Sequence, residues 1–150
     1  MNTVENFNYQ HDSDINSLLN QLLDILEMSL GVYERLIIST HSASSKTLYE
    51  LIRGSRNKLV EEIQSLMNKA KIKIDKRTNA STRNAFPDRN AKLNRLTSLK
   101  SLEESLLIKY KEVVHHPYCP ALMKIIITNH KLQILKDVKQ LVRELNLLKK

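Results

Sequence analysis

Glu62, Glu103 and His130 are side chains of metal-ligating type that fall toward the inward stripes of three separate helical repeats. Carboxylates combined with imidazole suit iron or another divalent metal, and such a site wants several ligands with supporting groups behind them. A carboxyl group among apolar neighbours is costly unless it finds a partner or water. The competing reading is therefore a polar layer near mid-bundle, with Glu103 bonded to Ser29, Ser55 or Tyr110 and Glu62 lying near Lys58.

His115, His116 and Cys119 form a second cluster, with ligand types that suit zinc. A structural zinc site takes four ligands, and no second ligand pair is present in the sequence. The alternative is a helix end, with the histidines near the last carbonyls and Cys119 as a small turn residue. Cys119 with His116 lacks any flanking motif of nucleophilic catalysis. As the sole cysteine, Cys119 forms no internal disulfide.

The segment 69–100 carries ten Lys or Arg against two Asp, which equals the +8 net charge of the whole chain. Lys71, Lys73, Lys76 and Arg77 are its candidates for binding polyanions, either nucleic-acid phosphates or acidic lipid head groups. A solvated charge run is the plainer reading. Phe86 is the only aromatic residue in the segment, so base stacking has little support, and no recognition motif is visible.

The elements that position these residues are helices. With 150 residues, two Gly and three Pro, the chain suits one helical domain rather than a turn-rich β fold. Residues 1–11 lack periodicity and read as a flexible tail, with residues 12–150 as a single domain. Asp12, Ser13 and Asp14 can cap a first helix whose stripe runs Ile15, Leu19, Leu22, Leu26, Ser29, Tyr33 and Leu36, with Asn20, Asp24, Glu27 and Glu34 opposite. After the serine-rich 39–45, a second helix places Leu48, Leu51, Ile52, Ser55, Leu59, Glu62 and Ile63 inward, and Arg53, Arg56 and Lys58 outward. The KIKIDKR run after Ala70 can extend that helix or peel away from it, and roughly 75–89 reads as irregular. A third helix carries Leu93, Leu96, Leu99, Glu103, Leu106, Tyr110 and Val113 and stops before His116-Pro117. Pro120 opens a fourth, with Ile127, Ile134, Leu135, Leu141, Leu145 and Leu148 on its stripe.

The first and last connections are short, so each pair of helices is an antiparallel hairpin. Roughly 15 extended residues reach about 50 Å, more than the ~33 Å length of a 22-residue helix. The middle connection can therefore run the length of an all-α four-helix bundle. Short, long, short is the connection pattern of ferritin-like topology.

INSLLNQLLDILEMSLGVYERL resembles the first helix of bacterial ferritin-like four-helix proteins of unknown function, and SLEESLLIKYKEVV with the following Pro turn resembles their third and fourth. The resemblance covers residues 14–148 and implies a ferritin-like fold, in a group linked with stress responses rather than iron storage. Di-iron members carry a Glu on each of two helices and Glu-x-x-His on each of the other two. Here Glu62 is followed three residues on by Ser65, His130 is preceded by Ile127, and Glu27 faces away from the stripe.

The expected function is that of a non-enzymatic interaction or stress-associated accessory protein without a cofactor, self-associating or docking another protein. A degenerate di-iron or other metal-binding carboxylate protein is one alternative, and a nonspecific nucleic-acid or polyanion binder is the other. No apolar run approaches the ~20 residues of a membrane span. No secretory signal is visible at the N-terminus. Both points, with the lone cysteine, favour a cytoplasmic setting.

Overall fold

Long amphipathic repeats nearly free of Gly and Pro form helices, and the computed structural model describes four: α1 (Thr3–Ser39), α2 (Ala43–Lys69), α3 (Ala91–Val114) and α4 (Ala121–Lys149). The backbone is described for residues 3–75 and 91–149, and side chains for 15–75 and 93–148. Among the described residues there is no strand, and no helix is long and apolar enough to cross a membrane. The fold is an all-α four-helix bundle.

α1 begins at Thr3, upstream of the start expected at Asp12–Asp14, and continues through the segment read as a tail. Neither Gly nor Pro occurs in residues 3–14, so nothing in the backbone forces a break there. α2 begins at Ala43, inside the serine-rich 39–45 rather than after it, because Ser42 already supplies the cap. Ser42 holds an extended backbone, and its hydroxyl accepts from the Ser45 amide at 3.3 Å.

The far end of α2 closes with a Schellman arrangement. The Ile72 amide donates to the Met67 carbonyl at 2.8 Å, the Lys71 amide donates to Asn68 at 3.2 Å, and Lys71 takes a left-handed φ of 59°. KIKID thus peels away from the helix, with Ile72 and Ile74 packed against the core and Lys71 and Lys73 exposed. Asn20 fastens this segment to α1. Its Nδ2 donates to the Lys73 carbonyl at 2.9 Å, and its Oδ1 accepts from the Asp75 amide at 2.8 Å. Asn20 is accordingly buried, and not on the outer face that its polarity suggests.

α1 packs on α2 and α3, and α4 packs on α3 and α2, while α1/α4 and α2/α3 stand across the diagonals without close backbone approach among the described residues. Arg95 near the start of α3 donates to Ser39 Oγ at the end of α1 (2.9 Å), and Lys109 near its end donates to Gln21 (2.7 Å). α3 is therefore antiparallel to α1, as α2 is through its short connection. It follows that α2 and α3 run parallel, and that the end of α2 and the start of α3 lie at opposite ends of the bundle.

The apolar core is in two parts. One joins Leu19, Leu26, Leu59, Ile63, Leu106 and Ile134; the other joins Tyr33, Leu36, Ile52, Leu99, Leu141 and Leu145. Between them each helix contributes a buried polar residue: Ser29, Arg56, Glu103 and Asp137.

Candidate functional site

Arg56 sits on α2 between buried Ile52 and Leu59, Glu103 on α3 between Leu99 and Leu106, and Asp137 on α4 between Ile134 and Leu141. Their three- and four-residue spacing from apolar neighbours puts all three on the inward faces. The Arg56 guanidinium crosses the bundle from α2 to the diagonally opposite α3. There Nη2 pairs with Glu103 Oε2, and Nε donates to Oε1 at 3.4 Å. The same Nη2 lies 2.8 Å from Asp137 Oδ2. Arg56 and Glu103 side chains are 0% exposed and Asp137 3%.

Burial pushes the Glu103 carboxyl above its ordinary value, and the guanidinium pulls it back only in part. Burial works against the charge on Arg56, but Glu103 and the other neighbours outweigh it, so Arg56 stays firmly protonated. The Tyr33 and Tyr110 phenols are raised, chiefly by burial; the Glu103 charge adds to both. Neither hydroxyl makes a hydrogen bond of good geometry, and Arg56 Nη1 is likewise without an acceptor.

This is the polar layer expected as the alternative to a metal site, with a different partner. Glu103 bonds to Arg56 rather than to Ser29, Ser55 or Tyr110, and Ser29 instead donates to the Leu26 carbonyl at 2.7 Å. Arg56 is buried rather than on the outer face that the hydropathy pattern assigns it, since that pattern favours Ser55 over a charged residue for the inward position. Asp137 belongs to no motif that marks it in the sequence. Their shared signal is positional: each continues the 3-4 spacing of its helix without a gap.

Glu62 and His130 do come together, with His130 Nε2 3.5 Å from Glu62 Oε2 and both partly exposed. They do not converge with Glu103. Six residues separate Glu62 from Arg56 and seven separate His130 from Asp137, about 9–10 Å along each helix axis. Among the described residues no group of three or more His, Cys, Asp or Glu is placed to hold a metal ion, so the expected trio does not form. The cation beside Glu103 is a guanidinium carried by the chain itself.

The His115–Cys119 cluster is a helix end. His115 Nδ1 donates to the Lys111 carbonyl at 2.7 Å, and the Cys119 amide donates to His116 in the turn at 3.2 Å. Cys119 is buried, and burial raises its thiol pKa, which keeps it protonated and unreactive. Of the polyanion candidates, Lys71 and Lys73 are exposed, while Lys76 and Arg77 lie outside the described residues.

No protein-family model, curated protein or solved structure matches the chain.

Proposed function

We propose that the chain is a non-enzymatic, ferritin-like helical accessory protein that works by docking another protein on the outer face of α4. The observation that carries this reading is an apolar stripe on that helix. Leu122 is 61% exposed, Ile125 57%, Leu132 68% and Leu135 41%. Single exposed leucines are ordinary, but a row of them at helical spacing is a surface that partners cover. Such a stripe suits the apolar face of a second helix.

Charge favours a different protein over a second copy. Lys131, Lys136 and Lys139 beside the stripe are exposed. The two acidic residues of α4 are turned to other work: Asp137 faces Arg56, and Glu144 accepts from the Ser45 hydroxyl at 3.1 and 3.2 Å. Packing two copies through α4 sets these lysines against each other, whereas an apolar face rimmed with Asp or Glu complements them.

Two further features support the reading. The parallel run of α2 and α3 agrees with ferritin-like connectivity. The engagement of Glu103 and Asp137 by Arg56 leaves the core carboxyls committed to a fixed internal cation, which weighs against the di-iron alternative. The test uses a synthetic amphipathic helix with a leucine stripe flanked by glutamates. It should bind the native chain and lose at least tenfold in affinity against Leu132→Glu. Binding that ignores Leu132→Glu would refute the docking face. Dimerisation of the chain alone, abolished by the same substitution, would replace the heterologous partner with self-association.

A further inference from the structure

α1 and α3 leave an open groove of about 470 Å³ on the bundle surface, within the size range of small-molecule sites. Arg35 from α1 and Arg95 from α3 line one end of it, with Ser98, Ser101 and Ser105 following along α3. No Asp or Glu lines it. Arg35 Nη2 and Arg95 Nε are buried without a hydrogen-bond acceptor, and neither arginine has an acidic partner among the described residues. Guanidinium N–H groups shielded from water and left without acceptors are costly, and two in one groove mark a local shortage of oxyanion.

The arginines are also held in place. Arg95 Nη1 donates to Ser39 Oγ at 2.9 Å, and the Ser39 hydroxyl donates in turn to the Arg35 carbonyl at 2.8 Å. Ser39 is one turn beyond Arg35 on α1, so this chain of bonds sets the Arg95 guanidinium next to the Arg35 turn. The Ser98 hydroxyl, one turn from Arg95, is exposed and can turn toward an anion there, while Ser101 and Ser105 lie farther along α3.

Asn94 and Thr97 add polar lining from α3, and the other lining residues are apolar. Met28, Val32 and Leu102 line the groove away from the arginines, and Met28 is 45% exposed. From Arg35 to Met28 the groove follows about 10 Å of α1. No aromatic ring lines it, so nothing there stacks a base or sugar.

We infer that this groove binds an alkyl phosphate, with the phosphate monoester between Arg35 and Arg95 and the chain along Met28, Val32 and Leu102. Phosphate is favoured over carboxylate because two guanidinium forks and the Ser98 hydroxyl, one turn from Arg95, offer more donors than a carboxylate's two oxygens can use. The inference is independent of the α4 docking face, which lies on another helix.

Titration calorimetry of the full chain with octyl phosphate, octanoate and inorganic phosphate tests it. Octyl phosphate should bind at least tenfold more tightly than either of the others, and more weakly as salt rises. Arg95→Gln should cost at least tenfold in affinity. Ser98→Asp places a negative charge at an exposed lining position, so it should abolish binding while the melting temperature stays unchanged. It therefore reads the site even if Arg95→Gln disturbs the end of α1. Equal affinity for inorganic phosphate would show that the apolar wall is unused, and equal affinity for octanoate would remove the preference for phosphate. Full-strength binding to Ser98→Asp would place the ligand elsewhere. Each of these three results overturns the inference.

Discussion

Replacing Arg56 with methionine keeps most of the volume of the side chain, though it is shorter, while removing the one cation of the central layer. Two carboxyl groups, Glu103 at 0% and Asp137 at 3% exposure, then remain in the core without their partner. Breaking a buried pair from one side typically costs about 3–5 kcal/mol, a large share of the roughly 5–15 kcal/mol that holds a domain together. The loss should depend on pH, and its sign follows from Glu103. Burial already raises this carboxyl above its ordinary 4.5 in the folded chain, and loss of Arg56 removes the main influence lowering it. An acid whose folded pKa is raised binds its proton more tightly when folded. Stability is then greatest below the unfolded value and falls as pH climbs through the window up to the folded one. Arg56→Met should therefore trail the native chain by the full amount at about pH 7 and by much less near pH 4, where the unfolded chain is protonated too. Urea titrations followed by helical circular dichroism at both values measure the difference. An equal deficit at the two pH values would mean that Arg56 acts only by filling space. Changing all three residues together to Met, Leu and Leu should restore or exceed native stability, because no uncompensated charge is then buried.

Gly54 lies exposed in the interior of α2, and an added Cβ meets nothing within 4 Å. Gly54→Ala should accordingly stabilise by about 0.5–1 kcal/mol, seen as a higher melting temperature; no change would mean that the helix is already distorted there. Asn20→Ala removes the amide that holds the Lys73 carbonyl and the Asp75 amide. A cost of about 1–3 kcal/mol and faster hydrogen exchange at Asp75 should follow, and unchanged exchange would show that Ile72 and Ile74 hold the segment unaided.

The helices were legible because most of their inward positions are unambiguous: Leu19, Leu22 and Leu26, or Leu99, Leu106 and Val113, admit one phase each. The same periodicity misled where a polar residue occupies an inward position. Between Ser55 and Arg56 a hydropathy pattern chooses the smaller and less charged residue, yet Ile52 and Leu59 at −4 and +3 point to Arg56. The choice is settled only by a partner, and Glu103 is 47 residues away. Asn20 poses the same problem, because its partners lie in a segment 53 to 55 residues downstream. Leu51, Leu135 and Leu148 err in the opposite direction, exposed although apolar. The joining of Glu62 with His130 also depended on helix neighbours that local pattern does not specify.

The crossing guanidinium makes the two halves of the molecule unlike. The α1–α2 hairpin brings the buried cation, and the α3–α4 hairpin brings both carboxyl groups that receive it. Two copies of the first hairpin, packed on each other, would bury facing guanidinium groups; two copies of the second would bury four carboxyls with no counter-charge. Apolar stripes alone would tolerate either mispairing, since leucine meets leucine equally well in both. During synthesis or refolding at high concentration, each hairpin is thus free to accept only its complement. If chains exchange halves, the exchanged assembly must still set one hairpin of each kind together, and Arg56 acts as the key that enforces the match.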